Sequence, residues 1–223
     1  MTMTAIAQPH QDATRTGSLR PALTAITVVW FGAVLLAFFA GGFVNQPGQP
    51  PIHFLISVGA PIAAFLAAYA AIPRLRAAVR AADLALLSAV QGWRVAGFVF
   101  VAFLAFDKLP GLFAWPAGLG DVAVGLAAPF VALAVLRRPD TATEPRFVLF
   151  HWLGILDLAV AVSAGVLSSG LVPGLVGEIT TEPLTRMPLV LIPGFLVPMF
   201  VILHLTAILK VRQLMREQRV TRG

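Results

Sequence analysis

Five ionisable side chains fall inside otherwise apolar runs of the sequence: Arg94, Asp121, His151, Asp157 and His204. A charge near the middle of a hydrocarbon layer ~30 Å thick costs at least ~2.5 kcal/mol, so each of them needs a partner or a wet cavity. Ser88, Gln91 and Arg94 recur every third residue, which gathers them on one helix face that must point inward. Asp157 sits in a stripe of small residues with Gly154, Ala161 and Gly165, and Asp121 in another with Gly118, Gly125 and Ala128. Small stripes let helices approach closely, so both carboxylates are expected between helices. By depth Asp157 matches Arg94, which predicts an ion pair near the midplane, with Asp121 nearer the outer surface.

Such a group supports two kinds of role. Two carboxylates around one guanidinium leave one acid uncompensated, able to take up a proton or a cation, as a carrier requires. The same residues also serve a purely architectural role, fixing helix register, and Asp121, close after Pro116, would then interact with the start of its own helix. His151 and His204 fall at similar depth in neighbouring runs, where two imidazoles can hold a b-type haem axially or a transition metal. His53 belongs to an interface and is expected to be solvated.

Other chemistries find no support. Cysteine is absent, which removes thiolate nucleophiles, disulfides and cysteine-ligated metal sites. H-E-x-x-H, G-x-S-x-G, P-loop and dinucleotide-binding patterns are missing, and the aspartates are not clustered as D-D-x-x-D. The sequence therefore does not read as an enzyme.

The elements that must position these residues follow from composition. The 223 residues are 58% hydrophobic and 12% charged, with mean hydropathy +0.87, which is more apolar surface than a soluble fold of this size buries. The expected fold is all-α, a bundle of six transmembrane helices spanning about 22–44, 52–72, 84–106, 114–136, 147–167 and 188–209. Together these make one membrane domain, 22–209, between a polar tail, 1–21, and a basic tail, 210–223. The first run is too long for a signal-peptide core and should remain as an anchor. Pro193 and Pro198 should bend the sixth span. DKLPGLFAWPAGLGD, rich in Pro and Gly, reads as a re-entrant or gating turn, and PRLRAAVRAAD as an interfacial helix start whose arginines face headgroups. Glu178 and Glu182 form an acidic spot in the connection before span six.

Charge sets the expected orientation. Arg15, Arg20, Arg74, Arg76, Arg80, Arg137, Arg138, Arg146 and the cations from Lys210 onward share one side, against Lys108 and Arg186 on the other. The positive-inside rule then places both termini in the cytoplasm of a protein of the cell (plasma or inner) membrane. The net charge of +6 is explained by this asymmetry and does not indicate nucleic-acid binding. One internal echo appears, G-x-x-D-[VL]-A-V-small, at Gly118–Gly125 and again at Gly154–Ala161; in antiparallel spans it would be inverted, as in some transporters.

Three functions fit these residues. The first is a small-solute or cation binding or transport module centred on Arg94, Asp121, Asp157 and Gln91. The second is a redox membrane subunit binding haem b through His151 and His204. The third is a non-catalytic subunit that packs against another membrane protein, and a homodimer also suits a chain this short. The lipid bilayer is the partner common to all three.

Overall fold

The computed structural model describes residues 19–43 and 49–222; the polar segment 1–18 lies outside them. The described chain is helical, with no strand among the described residues. The helices are α1 (Leu19–Phe39), α2 (Ile52–Ala71), α3 (Pro73–Ala81), α4 (Leu84–Val90), α5 (Phe98–Ala105), α6 (Gly111–Arg137), α7 (Pro145–Val166) and α8 (Val197–Arg222). A tight 3-10 segment, Gln91–Gly97, joins α4 to α5 into one continuous run, Leu84–Ala105. Wide π turns follow α7 (Leu167–Leu171) and precede α8 (Ile192–Leu196).

Six helical runs among the described residues are long and apolar enough to cross a membrane. Their packing is unequal. The first is almost wholly uncovered, with Val29, Leu36 and Phe39 more than 70% exposed. It touches the rest mainly through Trp30 and Phe31, whose rings lie 4.7 and 5.2 Å from that of Phe195, and through Val34 beside Val190. An apolar face left open on this scale needs lipid or another apolar surface against it. The α4–α5 run, α6, α7 and α8 form the core, with α6 packed against both the 3-10 segment and α7.

The third run is not a uniform α-helix, and the difference matters to the site. Gly92 and Gly97, weak helix formers, bracket the segment that tightens to three residues per turn. At that pitch residues three apart eclipse, so Gln91, Arg94 and Gly97 line up on one buried edge while Trp93 and Phe98 stay exposed. Asp83 starts the run by accepting from the N–H groups of Ala85 (2.8 Å) and Leu86 (3.1 Å), an N-cap that satisfies two otherwise orphan donors.

Several boundaries correct the sequence reading. Residues 111–121, read as part of a re-entrant turn, are helical: α6 starts at Gly111 directly after Pro110, and Pro116 lies inside it. Its missing N–H removes the intrahelical donor for the Leu112 carbonyl, a loss that packed apolar helices tolerate. Asp121 is therefore the eleventh residue of α6, ~15 Å along its axis at 1.5 Å per residue, and belongs to the middle of the span and not to its outer end. The basic segment after residue 209 is helical, because α8 continues through it to Arg222. Pro193 does mark a departure from regular α geometry, as a π turn. Arg76 does not simply face outward: its Nη1 donates to the carbonyls of Tyr69 (3.3 Å) and Ala70 (2.6 Å), closing the end of α2.

Candidate functional site

The edge formed by Ser88, Gln91 and Arg94 is buried throughout, with Ser88 and Gln91 at 0% exposure and Arg94 at 2%. Four runs converge on the Arg94 guanidinium. Its Nε–H donates to Asp121 Oδ1 on α6 at 2.7 Å, and its Nη2 donates to Asp157 Oδ2 on α7. Its Nη1 faces the Gly154 carbonyl of α7 at 3.1 Å and His204 Nε2 of α8 at 3.3 Å. The planar fork of donors suits arginine to this task, where a lysine ammonium would satisfy fewer partners at fixed angles.

Glycines make these approaches possible. A Cβ on Gly120 would overlap the Asp157 carboxylate, one on Gly97 the Asp121 side chain, and one on Gly154 the His204 ring. Each of these three glycines leaves the volume that a polar side chain of the site occupies, whereas Gly118 and Gly125 of the α6 stripe let Val101 and Val95 of the neighbouring run approach.

Hydrogen-bond direction fixes the state of the two histidines. A guanidinium only donates, so His204 Nε2 must accept and carries no proton. Its proton is then on Nδ1, which donates to His151 Nδ1 at 2.8 Å. His151 in turn carries its proton on Nε2, 3.5 Å from Ser88 Oγ, and the Ser88 hydroxyl donates to the Leu84 carbonyl at 2.8 Å. This assignment, made from donors and acceptors, leaves both imidazoles neutral. The edges of Phe147 and Phe150 pack on His151 with ring centroids 4.6 and 5.1 Å away.

This arrangement does not fit a haem or a metal held by His151 and His204. A metal–imidazole bond is ~2 Å, so an ion between two ring nitrogens holds them ~4 Å apart. Here the two Nδ1 atoms are in direct hydrogen-bond contact, the rings meet edge to face at 5.1 Å, and both Nε2 atoms have partners of their own. Among the described residues no three His, Asp or Glu side chains gather as metal ligands.

All six residues singled out in the sequence lie in or beside one polar centre. Arg94, Asp121 and Asp157 form the ion-paired group, with Asp121 on the same guanidinium as Asp157 and not apart from it. His151 and His204 join it through Arg94. Gln91 lies one turn from Arg94, fully buried, and neither atom of its amide has a hydrogen-bonding partner among the described residues. Sequence reading missed Ser88 as a partner of His151, the Gly154 carbonyl and the His204 contact to Arg94.

With both carboxylates ionised and both imidazoles neutral, the centre holds one negative charge more than it has positive. Fold and site together define an all-helical bundle, with six runs long and apolar enough to cross a membrane, built on a buried arginine that two aspartates and a histidine share. The chain belongs to the family described as a domain of unknown function (DUF8737), which matches residues 50–212 and so covers every residue of the centre. No curated protein and no solved structure matches it.

Proposed function

We propose that this protein is a multi-pass module of the cell (plasma or inner) membrane, with both termini cytoplasmic, that binds and moves a cation or small solute at the Arg94, Asp121 and Asp157 centre. The observation that carries this is the pairing of one guanidinium with two carboxylates at the middle of the bundle. A net charge in an apolar interior is costly, and a bound cation removes it. An arrangement needed only for helix register would be served by one carboxylate. The segments flanking the centre also suit movement: Arg94 rides on a 3-10 stretch, and π turns adjoin the ends of α7 and α8, the irregularities that commonly mark functional sites in helices. The basic residues gathered at the end of the bundle that holds α3 and the end of α8 favour that end as the cytoplasmic one.

The test is thermal unfolding of the full chain in lipid nanodiscs against a panel of monovalent cations, the proton included as a pH series, and small solutes. A ligand that binds the folded state raises the midpoint by mass action. The reading expects stabilisation by at least one member of the panel and its loss in Asp157→Asn. Equal stabilisation in wild type and Asp157→Asn, or none across the panel, would contradict it.

A further inference from the structure

Two cavities stand in line at the end of the bundle remote from the basic helices. The outer one encloses about 520 Å³ between the ends of α1, α2 and α7 and the 180–186 segment, with Phe38, Ser169, Thr181, Glu182 and Arg186 on its walls. The inner one encloses only about 30 Å³ and reaches Asp121, among Phe100, Phe113, Ala161 and Pro193. Phe54 and Leu184 line both, so these two side chains form the partition between them.

Size and chemistry decide what can reach Asp121. A water needs ~10–15 Å³ of accessible cavity volume, so the inner cavity holds one or two species of that size and excludes an organic solute. Among the described residues Asp121 is the sole polar side chain on its wall, and Oδ1 of that carboxylate already accepts from Arg94. Hard metal cations take about six oxygen ligands, which this wall cannot supply. A proton needs a single lone pair, and Oδ2 has one to offer.

We infer that Asp121 is a proton-binding site served from the outer cavity, with Phe54 and Leu184 as the gate through which water delivers the proton. This rests on the proposed function and narrows its cation to the proton. In the step itself, an O–H bond of a hydronium ion breaks as an O–H bond forms on Asp121 Oδ2, and water is left behind. Arg94 then faces one carboxylate, Asp157, and the centre becomes neutral. The charged groups around Asp121 are Arg94 on the 3-10 segment and Asp157 on α7, and His204 of α8 faces the far side of the guanidinium. α2 and α5 bring only Phe54 and Phe100 to the inner cavity, and the chain just before and at the start of α8 brings Ile192, Pro193 and Val197. At the outer cavity Glu182 and Arg186 pair with each other at 2.6 Å.

Infrared difference spectroscopy of the full chain in lipid vesicles, after a rapid acid jump, tests this. A carbonyl band of a newly protonated buried carboxyl should appear, vanish in Asp121→Asn, and shift in Asp121→Glu, which keeps an acid at the position. Leu184→Trp, which fills the partition without touching Asp121, should slow the appearance of the band at least tenfold. A band that survives Asp121→Asn, or none in wild type, overturns Asp121 as the proton site; the cation and solute panel judges the wider reading separately. A band lost in Asp121→Asn but formed at the wild-type rate in Leu184→Trp overturns the gate.

Discussion

His151 and His204 hydrogen-bond to each other through their Nδ1 atoms, 2.8 Å apart, from the facing helices α7 and α8. Because Arg94 obliges His204 Nε2 to accept, the two rings hold opposite tautomers, His204 protonated on Nδ1 and His151 on Nε2. Nitrogen NMR of histidine-labelled protein in lipid, with His10 and His53 replaced by Gln so that only this pair reports, should show one ring of each tautomer. Arg94→Gln removes the obligate donor and should leave the pair free to exchange between tautomers. Two identical tautomers in wild type would contradict the assignment.

Gly154 supplies the room in which His204 reaches Arg94, since a Cβ there would overlap the imidazole ring. Overpacking of this kind costs ~1–3 kcal/mol, so Gly154→Ala should destabilise the bundle by that amount in reversible unfolding. The double variant Gly154→Ala/His204→Ala should show a coupling term that offsets part of the loss. Strict additivity of the two would mean that the glycine and the ring do not compete for space.

Gln91 is fully buried, and its amide has no partner among the described residues. Burying an unsatisfied polar group costs ~1–3 kcal/mol, so Gln91→Leu should match or exceed the wild type in stability. The same variant should weaken stabilisation by cations or solutes, because the amide lies one turn from the Arg94 centre. A stability loss in Gln91→Leu with unchanged ligand response would assign the amide to architecture.

Orientation is tested by fusions at Thr143, in the connection between α6 and α7, and at Pro173, in the connection after α7. A reporter active only outside the cytoplasm should work at Pro173 and fail at Thr143. The reverse pattern would invert the topology.

Much of this architecture was legible because long apolar runs are written in the composition itself: all six appear as helices, five of them within about five residues of their expected limits, while the sixth runs on at least ten residues past residue 209. The Arg94–Asp157 pair was legible too, because burial depth along a helix is fixed at 1.5 Å per residue and both lie about ten residues inside their runs. The depth of Asp121 was misread for the same reason, since starting the fourth run at Ala114 left out the first three residues of α6, Gly111 to Phe113. The tightening at Gln91–Gly97 depends on packing against α6, which two glycines alone do not announce. The Arg94–His204 contact joins residues 110 positions apart, and no local pattern encodes a meeting at that range. Spacing and composition pointed to haem at His151 and His204 only while their ring nitrogens were free; the fold occupies all four.

Charge compensation at Arg94 is the most direct measure of the centre as a whole. Removing one partner from a buried ion pair costs ~3–5 kcal/mol, whereas replacing the whole group by neutral residues is often close to harmless. In unfolding from lipid, Arg94→Gln alone should lose ~3–5 kcal/mol, and the triple variant Arg94→Gln/Asp121→Asn/Asp157→Asn should recover most of that loss. An Arg94→Gln protein as stable as the wild type, or a triple variant no better than Arg94→Gln, would contradict a guanidinium shared by two carboxylates.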